Sequence, residues 1–241
     1  MCGISRNLTI RCGEGDYGEL TKLRIILLDY DLTLMDNLID FFDALNKALL
    51  RYAGKTITFN EFYSRFLDNR FGDITPENVA PEIFWRYFRM VYETRYGRPL
   101  KGAEEFLFRT KIHGLRNIIV SGRECHSRRV WLELERFGLA EFIDEVYTLY
   151  DLSLLGGVEE ELFDKTWLIK YILTKYGASS DEAVFLGDYS QDYLSSMKAG
   201  VKFIGVSSYP ERKKYLQVLG VKYIAEDLLE AYYILGDICR E

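Results

Sequence analysis

Short runs of apolar residues alternate with stretches of helical spacing along most of this chain. Five runs are uninterrupted, which is typical of strands covered on both faces of a parallel sheet. They lie at 24–30, 117–122, 146–150, 183–188 and 202–208. Helical stretches between them stop at Gly138, Gly177 and Gly200, where glycine can take the left-handed conformation that closes a helix. The alternation predicts an α/β fold with a Rossmann-like, doubly wound parallel sheet and right-handed crossovers.

One interval interrupts this alternation between the first and second predicted strands. Residues 36–99 contain no convincing strand, but they carry segments with aromatic residues at helical spacing and a loop at 72–81. We therefore predict three parts, with a helix at 102–114 returning the chain to the sheet. They are an N-terminal extension at 1–23, an α/β core formed by 24–35 and 100–241, and a helical cap at 36–99.

Composition narrows the class of protein. The 241 residues carry a net charge of −6 and are 48% hydrophobic, as expected of a globular protein with a sizeable core. No cluster of Lys and Arg suggests nucleic-acid binding, no apolar run approaches the ~20 residues of a membrane span, and residues 1–15 lack the apolar centre of a signal peptide. We expect a cytoplasmic monomer or homodimer with no nucleic-acid or membrane partner. Its cysteines are expected to be reduced thiols, with a Cys2–Cys12 disulfide as the alternative.

Polar residues follow three of the predicted strands at the point where each strand ends. These residues are Asp29, Asp31, Ser121, Gly122, Asp188 and Asp192. In an open α/β sheet, ligands bind in a crevice beyond the carboxyl ends of the strands, so we expect these groups to converge. Several acids near one point cannot all stay ionised without a cation, and the cluster therefore argues for a bound metal ion.

Four short segments together resemble a known family. They are "DYDLTL" at 29–34, "VSGRE" at 120–124, Lys165 at the start of a helix, and "GDYSQD" at 187–192. Their order and spacing are similar to the four motifs of the haloacid dehalogenase superfamily, in the phosphatase branch that includes phosphoglycolate phosphatases. The resemblance covers 24–208 and implies a helical cap inserted after the first motif.

The resemblance implies a phosphatase mechanism. Asp29 would attack phosphorus and form an aspartyl-phosphate. Asp31 would donate a proton to the leaving oxygen and later take one from water. The expected substrate is a small phosphomonoester, phosphoglycolate-like or a sugar phosphate.

The resemblance also implies a Mg²⁺ cofactor and a set of phosphate-binding groups. Asp29, Asp188 and the main-chain carbonyl of Asp31 would hold the ion, and Asp192 would act through water or by orienting a ligand. The phosphoryl oxygens would be bound by Thr33, Ser121, Gly122 and Lys165.

Two positions depart from the family pattern. Leu32 stands where the family usually has glycine, and Thr166 stands where proline often follows the motif lysine. The missing proline leaves Lys170 and Lys175, on the same predicted helix, as alternatives to Lys165, although spacing favours Lys165.

The sequence also bears on three functions other than the phosphatase. The dehalogenase branch lacks an acid two residues after the nucleophile, so Asp31 argues against it. A phosphomutase keeps all four motifs and stays open as an alternative. A non-catalytic binding or regulatory protein on this fold would be expected to lack Asp29 or Asp31, and both are present.

Substrate selectivity should arise in the predicted cap, because the core motifs bind only the phosphoryl group and the metal. Arg65, Arg70 and Arg86 lie among aromatic residues there. We predict that at least one of these arginines faces the crevice, where it could pair with an anionic group or stack on a ring.

Overall fold

The computed structural model describes Leu20 and residues 22–240, so most of the predicted extension, with Cys2 and Cys12, lies outside the described residues. Six strands form a parallel sheet: β1 Ile25–Leu28, β4 Arg116–Ser121, β5 Glu145–Thr148, β6 Ala183–Gly187, β7 Lys202–Val206 and β8 Tyr223–Ala225. Across the sheet they lie in the order β5-β4-β1-β6-β7-β8. The order places β1 at the centre between β4 and β6, which confirms the doubly wound sheet.

Helices cover both faces of this sheet. They are α4 Ala103–Ile112, α5 Ser127–Arg136, α6 Leu149–Leu154, α7 Thr166–Tyr176, α8 Ser190–Ala199, α9 Pro210–Val218 and α10 Leu228–Arg240. Successive side chains of a strand point to opposite faces. Accordingly, Ile26 and Leu28 join an apolar cluster with α4, α5 and α10, whereas Ile25 and Leu27 join a cluster with α6, α7 and α9. Burial on both faces explains why the strands read as continuous apolar runs.

Two helices end at glycines, as the sequence predicted. α7 and α8 end at Gly177 and Gly200, which have φ of 55° and 75° and close the helices in the left-handed conformation. The sequence analysis missed β8, a three-residue edge strand whose first two residues are only partly buried. So short a segment gives no run of apolar residues long enough to stand out.

Between β1 and β4 the chain forms a helical unit, called here the helical insertion. Its helices are α1 Leu38–Ala53, α2 Phe59–Leu67 and α3 Pro81–Val91, and a short 3₁₀ turn lies at Gly72–Ile74. They pack around an aromatic-rich cluster that includes Phe62, Phe66 and Phe84. The strands β2 Met35–Asp36 and β3 Arg98–Pro99 pair antiparallel where the chain enters and leaves this unit.

Among the described residues, no helix combines the length and the apolar character needed to span a bilayer. Cys125 and Cys239 are buried free thiols. Burial raises the pKa of Cys125 to about 11, so the thiol form dominates near neutral pH.

The central strand should dominate the stability of the core. Leu27 is fully buried in β1, whereas Leu50 on α1 is 60% exposed. We expect Leu27→Ala to lower the free energy of unfolding by about 2–5 kcal/mol, because it removes buried methylenes and leaves a cavity. The matched change Leu50→Ala should stay within about 0.5 kcal/mol. Urea denaturation measures both, and similar losses would contradict the position of β1 at the centre of the core.

Candidate active site

The ends of the two central strands position the acids. Asp29 follows β1, and its N–H donates to the carbonyl of Leu186 at 2.8 Å, so the ladder between the strands continues up to the acid. Asp188 follows the neighbouring strand β6, and Asp192 lies in the first turn of α8. The strand-end rule therefore places these three acids together, as the sequence predicted.

Asp29, Asp188 and Asp192 form a compact and buried carboxylate cluster. One oxygen of each lies within 4.8 Å of the others. Three converging carboxylate oxygens are the ligand type that Mg²⁺ prefers, so the donor set fits a hard divalent cation. Burial raises the pKa of Asp29 well above its usual value, and Lys165 acts in the opposite direction. Burial likewise raises the pKa of Asp188 to about 6, although Arg212 opposes it.

Lys165 is the lysine that lies at this cluster. Its buried Nζ donates to Oδ1 of Asp29 and, at 2.7 Å, to Oδ1 of Asp192. Burial disfavours its charge, but the two carboxylates outweigh that effect and raise its pKa. Lys170 and Lys175 are exposed. The structure therefore places Lys165, rather than its neighbours on α7, beside the acids.

Asp31 is held by a buried arginine that the sequence analysis did not single out. The guanidinium of Arg123 donates to both Asp31 oxygens, with Nη2 2.6 Å from Oδ1 and Nε 2.9 Å from Oδ2. Its Nη1 donates to both oxygens of Glu133 at 2.8 and 2.9 Å. Asn37 also donates to Asp31 at 2.6 Å. Asp31 therefore has a fixed orientation, set by Arg123 from the core and Asn37 at the entrance to the insertion.

A second unpredicted arginine binds the acid after β6. Arg212, in α9, donates through Nη2 to Oδ2 of Asp188 at 2.9 Å and to its main-chain carbonyl at 3.1 Å. Its Nη1 donates to the carbonyl of Phe66 at the end of α2. Arg212, Lys165 and Arg123 together supply positive charge that balances the buried acids. The acid cluster is therefore weaker evidence for a metal than the sequence suggested.

The predicted phosphate-binding residues lie around the acids at different depths. Thr33 and Ser121 are fully buried, and neither lines the cavity described below. Thr33 Oγ1 is 3.5 Å from Oδ1 of Asp188, and Ser121 Oγ accepts from the N–H of Arg123 at 3.2 Å. Gly122 does line the cavity, where an added Cβ would lie 3.3 Å from the ring of Phe163.

Both departures from the family pattern have a local structural account. Leu32 has φ of 64°, the left-handed conformation that glycine adopts without strain, so the family's glycine preference is met here by a strained leucine. Thr166 uses its N–H and its hydroxyl to donate to Oδ1 of Asp164, at 3.2 and 2.5 Å. A proline would offer neither donor.

A cavity of about 280 Å³ lies between the acids and the helical insertion. The helical insertion contributes aromatic side chains and Arg89, which is 3% exposed. Arg65, Arg70 and Arg86 instead pair with other carboxylates, and none of them lines the cavity. The prediction that one of them faces the crevice is therefore wrong. The residue that does so is Arg89, three positions after Arg86 on α3.

Some of the missed cations left a signal in the sequence. Arg123 lies two residues after Ser121, at the end of a predicted strand. Arg89 falls on the helical face shared by Trp85, Phe88 and Tyr92, where an arginine needs buried partners. Arg212 gives no comparable signal, because its site contact depends on how α9 packs.

Comparison with known proteins agrees with this geometry. The sequence pattern of haloacid dehalogenase-like hydrolases matches residues 26–206, and the chain belongs to this family. The chain is 25% identical over 231 residues to the pyrophosphatase PpaX of Oceanobacillus iheyensis, a match that covers 90% of this chain and 98% of the relative. The resemblance drawn from the four motifs is thus confirmed, and the chain is a hydrolase by family.

Solved structures of low sequence identity share the fold. A predicted phosphoglycolate phosphatase from Haemophilus somnus superposes with a TM-score of 0.62 at 20% identity, covering 89% of this chain and 98% of that one. A protein described as a β-phosphoglucomutase from Bacteroides vulgatus gives a TM-score of 0.66 at 16% identity, with 91% of each chain covered. At such identities the likeness establishes the fold alone.

Removing Arg123 should destabilise the protein strongly. Its side chain is buried between Asp31 and Glu133, so Arg123→Met leaves both acids without their cation and should cost about 3–5 kcal/mol. The same change at Arg86, whose side chain is 66% exposed, should cost less than about 1 kcal/mol. Chemical denaturation checks both variants. Equal stability of the two would contradict the role of Arg123 as the buried counter-charge.

Proposed function

We propose that this protein is a Mg²⁺-dependent phosphatase that hydrolyses a small phosphomonoester through phosphorylated Asp29. The observation that carries the proposal is the convergence of Asp29, Asp31 and Lys165 on one cavity beyond the ends of β1 and β6. Family membership and the phosphatase names of the relatives support it. Within this proposal, residues 36–99 act as the cap over a core formed by 24–35 and 100–241.

The chain's own residues can carry both halves of the reaction. A carboxylate oxygen of Asp29 forms a bond to phosphorus while the bond to the ester oxygen breaks. Asp31 donates a proton to that leaving oxygen. In the second half, Asp31 takes a proton from a water molecule whose oxygen bonds to phosphorus as the bond to Asp29 breaks. Lys165 would balance charge on Asp29 and the phosphoryl oxygens throughout.

Asp29, Asp188 and the main-chain carbonyl of Asp31 would hold Mg²⁺, and Asp192 would orient Lys165 and the site's water. Bound Mg²⁺ would screen the repulsion between the Asp29 carboxylate and the anionic phosphate. Thr33, Ser121 and Gly122 would complete the binding site for the phosphoryl oxygens, Thr33 and Ser121 by supporting its wall.

A phosphomutase is the second candidate, and the structural likeness to the protein described as a β-phosphoglucomutase favours keeping it. The two functions differ in the acceptor of the phosphoryl group from Asp29. Release of inorganic phosphate matched to substrate loss supports the phosphatase. Isomeric phosphate esters formed without phosphate release would support the mutase.

The proposed nucleophile gives the most direct test. We expect Asp29→Asn to abolish Mg²⁺-dependent phosphate release, because an amide does not attack phosphorus, while the far-UV circular dichroism stays unchanged. Asp181→Asn, at an exposed site beside β6, is the control that should keep normal turnover. Near-normal activity of Asp29→Asn would exclude the aspartyl-phosphate mechanism.

The proposed general acid predicts a dependence on the leaving group. Asp31→Asn should reduce hydrolysis of an alkyl phosphate by about 10²–10⁴-fold. The loss should be much smaller for 4-nitrophenyl phosphate, whose leaving group needs no proton. Steady-state kcat with both esters provides the measurement. Equal losses of kcat for the two esters would show that Asp31 is not the general acid.

A further inference from the structure

The cavity above the acids has a polar floor and an aromatic wall. The wall consists of Phe41, Phe71, Trp85, Phe88 and Tyr92 from the helical insertion, with Phe163 from the core. The rings form a continuous surface, because Phe41 lies 5.0 Å from Phe88 and 5.2 Å from Phe71, centroid to centroid. Trp85 contacts Phe163 edge to face at 6.0 Å, which joins the wall to the core. The part of a substrate beyond the phosphoryl group would meet these rings.

The cations of the cavity are already engaged. Among the residues that the structure describes, every Lys or Arg that lines the cavity pairs with a carboxylate: Arg89, Arg123, Lys165 and Arg212. Arg123, Lys165 and Arg212 pair with the acids at the strand ends. Arg89 is therefore the cation that remains beside the aromatic wall.

Arg89 has two acidic partners of its own. Its Nη2 is 3.0 Å from Oε2 of Glu159 and 3.4 Å from Oε2 of Glu124, and its Nη1 also donates to Glu159. Two carboxylates around one guanidinium would repel a carboxylate carried by the substrate. Nε of Arg89 is buried and lacks a partner, so the cation keeps one donor, which a neutral acceptor could take.

Backbone strain is concentrated around this cavity. The described non-glycine residues with positive φ are Leu32, Asn69 and Phe163, and all three line it. For a bulky residue, this conformation is strained. At Phe163 the strained backbone places the ring between Trp85, Gly122 and the guanidinium of Arg89, whose carbon lies 5.0 Å from the ring centre. The ring therefore lies where the aromatic wall meets the phosphoryl-binding floor, between Trp85 and Gly122.

We propose that the substrate is a phosphomonoester whose leaving alcohol carries an aromatic ring and no carboxylate, an inference that rests on the proposed phosphatase function. The ring would pack against the aromatic wall, with Phe41 and Trp85 as the main contacts. A volume of about 280 Å³ suits a phosphoryl group with about one ring, since pockets for drug-sized ligands measure roughly 300–1,000 Å³. Phosphoglycolate and pyrophosphate offer no ring, and each brings a second anionic group.

The test compares esters with chemically matched leaving groups. Purified protein with Mg²⁺ is assayed for kcat/KM on 2-phenylethyl phosphate, ethyl phosphate, 2-phosphoglycolate and pyrophosphate. 2-Phenylethanol and ethanol are both primary alcohols and both leave after protonation, so the difference in kcat/KM between their esters reports the ring. Since a single methylene in an apolar pocket is worth roughly 10–200-fold, we expect 2-phenylethyl phosphate to exceed each of the others by at least about 10-fold.

A pair of phenylalanine variants locates the effect. Phe41→Ala should remove roughly 10-fold of the preference for 2-phenylethyl phosphate over ethyl phosphate. Phe59→Ala is the control, because Phe59 is on α2, 36% exposed, and does not line the cavity. If Phe41→Ala fails to fold, as judged by loss of its thermal transition, Phe41→Leu takes its place and should show a smaller loss in the same direction.

A third variant tests the charge argument independently. Glu159→Gln removes one negative charge from Arg89 and keeps an oxygen that can accept from the N–H of Phe163. It should raise turnover of 2-phosphoglycolate relative to ethyl phosphate. An unchanged ratio would overturn the inference that the carboxylates around Arg89 exclude a carboxylate carried by the substrate.

The outcomes separate the two proposals. If kcat/KM for ethyl phosphate, 2-phosphoglycolate or pyrophosphate equals or exceeds that for 2-phenylethyl phosphate, the proposed aromatic substrate class is overturned. The hydrolase function would still stand. Release of phosphate from none of the esters would overturn the proposed function and this inference with it.

Discussion

The four acids at the ends of β1 and β6 stay together because cations are built in beside them. Burial removes the water that would stabilise the charges of Asp29, Asp31, Asp188 and Asp192, so each must find a partner within the fold. Lys165 reaches Asp29 and Asp192, Arg123 holds Asp31, and Arg212 holds Asp188. These cations come from three distant parts of the chain, and the site therefore forms only when α7, α9 and the end of β4 have docked.

The same charges connect the helical insertion to the sheet. Arg212 donates both to the acid after β6 and to a main-chain carbonyl at the end of α2. Arg89 on α3 reaches Glu159 in the segment before α7. Arg123 donates to Thr94 just beyond α3, at 2.8 Å. Hydrogen bonds to charged groups, which are shorter and stronger than those between neutral groups, thus join the helices above the acids to the sheet in addition to the aromatic packing.

Much of the architecture could be predicted because it depends on local pattern. Continuous apolar runs gave five of the six strands, and the rule that ligands bind beyond strand ends brought Asp29, Asp188 and Asp192 together. The edge strand β8 was missed because three residues, two of them only partly buried, produce no such run. Local sequence pattern therefore predicts the fold more completely than it predicts the site.

The site beyond the strand ends depended on tertiary packing. Arg65, Arg70 and Arg86 sit among aromatic residues in the sequence, but α2 and α3 turn them toward other carboxylates. Arg89 and Arg212 gain their importance from partners 70 and 24 residues away in sequence, which no spacing rule connects. Leu32 shows the opposite case: family pattern marked the position as unusual, and the structure supplied the reason in its positive φ.

The antiparallel pair β2–β3 has a mechanical consequence. Met35 pairs with Pro99 and Asp36 with Arg98, so the two points where the chain crosses between sheet and helices are bonded to each other. Asp40 reinforces this connection by accepting from the N–H groups of residues 95–97. Two crossings tied side by side cannot slide past one another. A displacement of the three helices that preserves this pairing must therefore move both crossings together, which limits the ways in which the aromatic wall can shift relative to Asp29.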